Sequence, residues 1–244
     1  MKNIRLIIQY NGAAYSGWQY QVNAPSIQRT IEEILKDVLR EKVRLIGASR
    51  TDAGVHARGQ TANFKTSSSL APRSIKSALN SLLPRDIVIS GARRVPDDFN
   101  SQYDARSKWY RYLIANTETV SPFMEPYAMW VSKTLDPAAM RRGAQCLVGK
   151  HDFRSFQSKA GERENSVRTI SDLAIKKKGS RLTVDIEGDG FLYNMARSIV
   201  GTLVDVGKGR FGPADVRSIL NARDRRRAGP TAPAKGLFLM KVRY

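Results

Sequence analysis

The side chains with the most chemical potential stand together in Gly47-Ala48-Ser49-Arg50-Thr51-Asp52-Ala53-Gly54-Val55-His56-Ala57. Read plainly, Asp52-Ala53-Gly54 is a hairpin turn, with Asp for local hydrogen bonds and Gly for positive φ. Turn chemistry alone does not call for Arg50 and His56 beside it. A cation two residues before a carboxylate favours the ionised form when both project to one face of an extended segment. The ionised form is the one a nucleophile requires.

Two further groups invite the same question. In the segment Leu192 to Val204, the residues Leu192, Met195, Ala196, Ile199, Val200, Leu203 and Val204 make a wide apolar helix face, and Arg197 is the only charge. Such a cation needs an anionic partner or a route to solvent; a snorkelling surface arginine is the plainer alternative. Lys108-Trp109-Tyr110-Arg111-Tyr112 has strand character, which puts Tyr110 and Tyr112 on one face. By default these tyrosines pack in a core, but a tyrosine facing a cleft could stack on a base or move a proton.

Other patterns carry no chemistry. The stretch from Gly54 through Gly59-Gln60-Thr61 approaches a phosphate-binding loop, but Gln60 replaces the lysine and the following residues alternate like a strand. Gly207-Lys208-Gly209-Arg210-Phe211-Gly212 spells a dinucleotide fingerprint, yet it follows a helix rather than a strand. No nucleotide cofactor is expected. With two histidines, His56 and His151, and one cysteine, Cys146, no zinc site of ordinary spacing can be assembled and no intramolecular disulfide can form. No metal is expected, and the cysteine fits a reducing compartment.

The elements that must position these groups fall into a repeated order. Lys2 to Tyr10 reads as a strand; Ser26 caps a helix with Ile27, Ile31, Ile34, Leu35 and Val38 on one face; Val43 to Ser49 and Arg58 to Thr66 read as strands. Pro72 to Leu83 reads as a helix opened by proline, and Ile87 to Val95 as a closing strand. The second half opens with a strand from Arg106 to Ala115 and a helix from about Asp136 to Leu147. A hairpin then joins Val167 to Lys176 with Arg181 to Glu187 around Lys178-Gly179-Ser180. A helix from Leu192 to Val206, a short one after Pro213 and a strand from Leu237 to Val242 complete it. The expectation is an α+β fold of two βαββαβ-type halves, 1–105 and 106–244, the second with one inserted helix. Asn11 to Pro25, Thr117 to Pro126 and Gln157 to Ser166 read as loops, and Arg223-Asp224-Arg225-Arg226-Arg227 as a solvated helix end that could also touch phosphate.

Charge points to the partner. The 244 residues carry 41 Lys and Arg against 22 Asp and Glu, net +19, with a pI near 10.3. The excess is spread along the chain, with 15 basic and 8 acidic residues in 1–100 and 26 and 14 in 101–244. A folded nucleic acid gripped by both halves fits that distribution better than a basic tail would. The apolar stretches are too short for a membrane span and the first residues enter a strand at once, so a cytoplasmic chain without membrane contact is expected.

Ser49-Arg50-Thr51-Asp52-Ala53-Gly54-Val55-His56-Ala57 resembles the active-site motif of the tRNA pseudouridine synthases of the A type, with Ser49 where the family usually has Gly. Further matches run through Tyr10-Asn11-Gly12, Gly17-Trp18-Gln19, Phe99-Asn100 to Arg106, Tyr110-Arg111-Tyr112, Gly149 to Phe156, Phe191 through Arg197 to Gly201, and Ala234-Lys235-Gly236-Leu237-Phe238-Leu239. The resemblance covers essentially the whole chain. It implies antiparallel sheets joined into one continuous sheet, helices on one side, and a basic RNA-binding cleft between the halves. It also implies Asp52 as the catalytic aspartate, Tyr110 as the active-site tyrosine and Arg197 as the arginine partnering the carboxylate. Arg50 would help hold the target nucleotide out of the stack, with His56 and Arg58 as further substrate-binding candidates. The implied enzyme is a homodimer, needs no cofactor, and isomerises uridines at positions 38 to 40 of the tRNA anticodon stem-loop. C5 of a stacked uracil cannot reach C1′ of its ribose until the base is flipped, released, rotated and re-bonded. Attack by Asp52 at C1′, attack at C6, and assistance at C2′ are all compatible with the residues. Two rivals make distinct forecasts: a non-catalytic RNA-binding protein would leave tRNA composition unchanged, and a nucleoside hydrolase would release free uracil.

Overall fold

The computed structural model describes residues 1–158 and 165–244. Most of the charged stretch read as a loop between Gln157 and Ser166 therefore lies outside the described residues. The chain divides into two compact units, Met1–Arg106 with Phe238–Tyr244, and Ser107–Leu237. Both mix helices with sheet strands that are mostly antiparallel, and no described helix is long and apolar enough to cross a membrane.

The first unit runs β1 (Lys2–Tyr10), α1 (Ile27–Leu39), β2 (Ile46–Gly47), β3 (His56–Thr66), α2 (Pro72–Leu82), β4 (Ile87–Val95), and takes most of the closing strand β10 (Leu237–Arg243). Its strands lie in the order β4-β1-β3-β10, with β2 also on β3. Alternation in β1 puts Ile4, Leu6 and Ile8 fully inside, and Leu6 stands opposite Ala62 of β3 and Ala92 of β4 in an antiparallel register. Helix α1 begins where the Ser26 hydroxyl accepts the Arg29 N–H, presents Ile27, Ile31, Leu35 and Leu39 to the interior, and stops at Arg40 in the left-handed region at φ 59°.

Two expectations are revised here. The strand read over Val43 to Ser49 contracts to Ile46–Gly47. Leu45 explains the contraction: its N–H goes to Glu32 Oε1 at 2.8 Å and its carbonyl accepts from Gln28 Nε2 at 3.2 Å, so helix side chains take the bonds a ladder would use. The last strand, adjacent in sequence to the second half, pairs parallel with β3 through Phe238 opposite His56 and Leu239 opposite Ala57. Its apolar alternation identifies a strand but not the strand it will pair with.

The second unit runs β5 (Ser107–Asn116), β6 (Met129–Val131), α3 (Pro137–Gln145), β7 (Gly149–Asp152), β8 (Val167–Lys178), β9 (Arg181–Gly188), α4 (Met195–Gly207) and α5 (Asp215–Ala222). The strands order as β5-β9-β8-β7, each pair antiparallel, with β6 parallel to β5. The short strands β6 and β7 are additions to the pattern read from sequence; at 3 and 4 residues they are too brief to show alternation. The expected hairpin closes through Gly179 at φ 58°. Every residue of α4 is buried except Arg197, which is half-buried. The helix starts at Met195 rather than Leu192 because Asn194 sits in the left-handed region at φ 62°.

Candidate active site

In the first unit, Asp52 rides on the loop between β2 and β3 and is half-buried, with Arg50 and Arg58 exposed on either side. The loop is held chiefly by its backbone. The Ala48 N–H bonds to the Thr61 carbonyl at 2.8 Å, the Trp18 N–H to the Thr51 carbonyl at 3.0 Å, and the Gly54 N–H to the Tyr15 carbonyl at 3.3 Å. Gln60 Nε2 adds a bond to the Ser49 carbonyl at 2.7 Å. The turn closes on itself when the Val55 N–H reaches the Asp52 carbonyl at 3.1 Å, with Gly54 at φ 77° as the Asp-Ala-Gly reading requires.

What presses on this loop is the segment 11–25, through the glycines Gly12 and Gly17. A Cβ on Gly17, at φ 93°, would stand 2.6 Å from the Thr51 carbonyl oxygen, and one on Gly12 would stand 2.0 Å from that of Val55. Backbone meets backbone here, and side chains on those two residues would push the carboxylate loop away. Tyr10 and Thr51 exchange a buried hydroxyl bond of 2.7 Å directly before Asp52. The Tyr15 hydroxyl donates to Asp86 Oδ1 at 2.8 Å; burial, and then that bond, push the tyrosine's pKa well above its ordinary value.

His56 is 1% exposed, its ring stacked on Phe238 at 4.7 Å between centroids. Its Nδ1 accepts the Gly12 N–H at 3.1 Å. In the neutral ring the proton therefore sits on Nε2. His56 thus helps to seat the 11–25 segment.

In the second unit, Tyr110 is buried on β5 and packs edge-on against Phe191, with ring centroids 4.9 Å apart. Tyr112 is fully buried on the same face, its hydroxyl donating to the Pro233 carbonyl at 2.7 Å. Burial raises the Tyr112 pKa above its usual value, opposed by the charge of Arg197. The other face of β5 is occupied differently: Arg111 forks onto Asp185 at 2.8 and 3.1 Å, and Trp109 Nε1 bonds the same carboxylate at 2.8 Å. That closed cluster satisfies a buried charge.

Arg197 is anchored, which removes the snorkelling reading. Its Nε donates to the Ala232 carbonyl and its Nη1 to Asn194 Oδ1, each at 2.8 Å. Asn194 in turn donates from Nδ2 to Ser158 Oγ at 2.9 Å. Asn194 and Ala232 were not among the residues singled out in the sequence; the lone Arg in an apolar helix was the only signal that such partners had to exist.

The arginine run 223–227 also resolves residue by residue. Arg223 pairs with Asp152 at 3.2 Å and Arg226 with Asp224 at 2.8 Å, and the Arg226 bond helps hold Asp224 down at a pKa of about 2. Arg225, expected at a solvated helix end, instead turns inward onto carbonyls. The dinucleotide-like glycine pattern is the exit from α4, with Gly209 turning at φ 75°. Among the described residues no group of three His, Cys, Asp or Glu could hold a metal ion.

A family model of tRNA pseudouridine synthase matches residues 6–104 and 144–244. The chain is 47% identical over 244 residues to tRNA pseudouridine synthase A of Acetivibrio thermocellus, with 100% of both chains covered. It is 43% identical to the protein of that name from Thermoanaerobacter sp. and 44% to the one from Pelobacter propionicus, again covering 100% of each chain. Matches of this extent define an isomerase. The chain belongs to the tRNA pseudouridine synthase family.

Proposed function

We propose that this chain isomerises uridine to pseudouridine in tRNA, at positions 38 to 40 of the anticodon stem-loop, acting as a cytoplasmic homodimer with no cofactor. Asp52, Tyr110 and Arg197 are the catalytic residues in this reading, acting on a flipped uridine. Arg50, Arg58 and His56 serve the binding of that nucleotide, the first two as exposed cations and His56 through the segment it seats. The observation that carries the reading is the Asp52 turn, a half-buried aspartate on a loop fixed by backbone bonds within a matched family region.

The chemistry needs little else. The bond from N1 to C1′ breaks, the uracil rotates in place, C5 bonds to C1′, the C5 proton leaves and N1 takes one up. Atoms balance and nothing is oxidised. An ionised, aimed carboxylate serves attack at C1′, attack at C6 and assistance at C2′ alike. Tyr110 lies against the base in this reading, and the packing of its ring on Phe191 supports that role. The net charge of +19 supplies phosphate contacts whose affinity falls steeply with salt.

The test is incubation of the purified protein with unmodified tRNA, without added metal or nucleotide, followed by nucleoside analysis. Pseudouridine at 38 to 40 is expected. Bound but unchanged tRNA would make the chain a binding protein, and free uracil would make it a hydrolase; either result overturns the proposal.

A further inference from the structure

Arg225 is surrounded by neutral acceptors, unlike its neighbours Arg223 and Arg226, which meet carboxylates. Its Nη1 donates to the Gly229 carbonyl at 2.9 Å and the Ala228 carbonyl at 3.4 Å, and its Nη2 to Thr231 Oγ1 at 2.9 Å. A half-buried guanidinium spent on three acceptors within six residues fixes the path of the backbone that carries them.

That backbone, residues 228–232, is a strap laid along α4. The Gly229 N–H donates to Thr202 Oγ1 at 2.9 Å. Beside it the Pro230 carbonyl oxygen closes on Gly201 so tightly that a Cβ there would stand 1.7 Å away. The strap ends at Ala232, whose N–H donates to the Arg197 carbonyl at 3.1 Å and whose own carbonyl accepts Arg197 Nε at 2.8 Å. Of the two acceptors described for the Arg197 guanidinium, one thus lies on the strap, outside the arginine's own helix, and the other is Asn194 at the helix's N-cap. The turn carrying Arg225 is itself tied down, the Asp224 N–H donating to Ser155 Oγ and that hydroxyl to the Ile219 carbonyl on α5.

We propose that Arg225 is a positioning residue for Arg197, acting through the strap 228–232 to hold the Ala232 carbonyl where it orients the guanidinium. This rests on the reading that Arg197 serves the reaction. Without Arg225 the strap carbonyls turn toward water, Ala232 moves with them, and Arg197 loses its aim while Tyr110, Asp52 and the RNA-binding cations stay in place. A displacement of about 1 Å at a catalytic group is enough to cost roughly 100-fold in rate.

The experiment compares Arg225→Gln, Arg225→Lys and Thr231→Val in the full chain, with single-turnover rates on tRNA, KM, thermal unfolding, and the NMR signal of the Arg197 Nε–H, assigned by its loss in Arg197→Lys. Arg225→Gln should lower kcat by about 10- to 100-fold with KM within about threefold, and should shift and speed solvent exchange of that signal. Arg225→Lys should recover part of the loss, because a point charge can meet one of the acceptors but not all three. In an Arg197→Lys background, where the Nε–H is already gone, Arg225→Gln should cost no more than about threefold, since coupled residues do not lose additively. Thr231→Val keeps the shape and removes one acceptor; it carries the test if Arg225→Gln fails to fold, with an expected loss of about three- to tenfold in kcat. An unchanged Nε–H signal overturns the inference whatever the activity. So does a loss confined to KM, or a full additional loss in the Arg197→Lys background. If Arg197→Met alone keeps wild-type turnover, the assigned role of Arg197 falls and the inference with it, a failure readable from that single variant.

Discussion

The two regions that carry the proposed chemistry are held by opposite means. In the first unit Asp52 sits on a loop fixed by main-chain bonds to Tyr15, Trp18 and Thr61, pressed from outside by Gly12 and Gly17. In the second unit Arg197 sits on a rigid buried helix, but its guanidinium is aimed by bonds to the Asn194 side chain and the Ala232 strap. A backbone-held group tolerates changes in the side chains around it and fails when a Cβ is added. A group held at its tip tolerates small changes in its helix and fails when a partner is removed. The difference follows reach: an aspartate carboxylate goes where its Cα goes, whereas a guanidinium several rotatable bonds out must be caught at its end.

The largest expected effect comes from the carboxylate itself. Asp52→Asn should lower turnover by about 1000-fold or more while tRNA affinity stays within about threefold, because one charge is lost from a surface whose binding is shared among many cations. Rates and filter-binding curves on one tRNA decide it, and turnover within tenfold of wild type would remove Asp52 from the mechanism. Arg197→Met comes next, at about 100-fold or more in kcat with a folded helix, since methionine is a good helix former. Arg197→Lys should recover only part, lacking the fork that meets Ala232 and Asn194 together. Near-normal turnover in both Arg197 variants would make the arginine structural and break the comparison at its second term.

The sequence already carries the backbone-held half in its letters. Asp52-Ala53-Gly54 requires a turn with positive φ at Gly54, and Gly54 has it at 77°. Ser26, Pro72 and the span Ile87 to Val95 mark element ends that the structure keeps, because caps, proline and alternation act locally. The second half was less legible. The wide apolar face of α4 marks a buried helix with a lone cation, yet nothing local announces Ala232, 35 residues further on, as its partner. The pairing of β10 with β3 is equally non-local, as a strand's alternation specifies a face and not a neighbour. Asn194 marks the limit of pattern reading from the other side. Its left-handed backbone cuts the expected helix short by three residues, where the apolar spacing alone would have begun the helix at Leu192.

A Cβ placed in the first region tests its half of the contrast. Gly17→Ala combines a φ of 93° with an approach of 2.6 Å to the Thr51 carbonyl oxygen. It should destabilise by roughly 2 kcal/mol or more. It should also lower kcat by about tenfold, because the Asp52 loop must yield before the 11–25 segment can. Unfolding and turnover measured on one preparation show whether both move together. A stability loss without a rate loss would mean that the glycine serves packing alone.

The smallest expected effect is the sharpest probe of backbone holding. Tyr15 touches the Asp52 loop through its carbonyl, which accepts the Gly54 N–H at 3.3 Å, while its hydroxyl reaches away to Asp86 at 2.8 Å. Tyr15→Phe removes the hydroxyl and leaves the carbonyl where it was. Turnover at neutral pH should stay within about threefold of wild type, and stability should fall by roughly 1–2 kcal/mol for one lost bond to a carboxylate. The pH response has a definite sign. Burial and the Asp86 bond raise the folded-state pKa of Tyr15 above the ordinary tyrosine value. The stability this contributes is therefore fully present below about pH 10, the unfolded value, and is lost as pH rises from there through the higher folded pKa. Tyr112 and Tyr244 share the upward direction, so the variant keeps part of the alkaline decline, and the difference between its unfolding curve and that of the wild type isolates Tyr15. That difference should be constant from pH 7 to about 9 and shrink above about pH 10. A tenfold loss of turnover in Tyr15→Phe would show that a side-chain bond aims Asp52 after all, and the contrast between the two regions would then be one of degree.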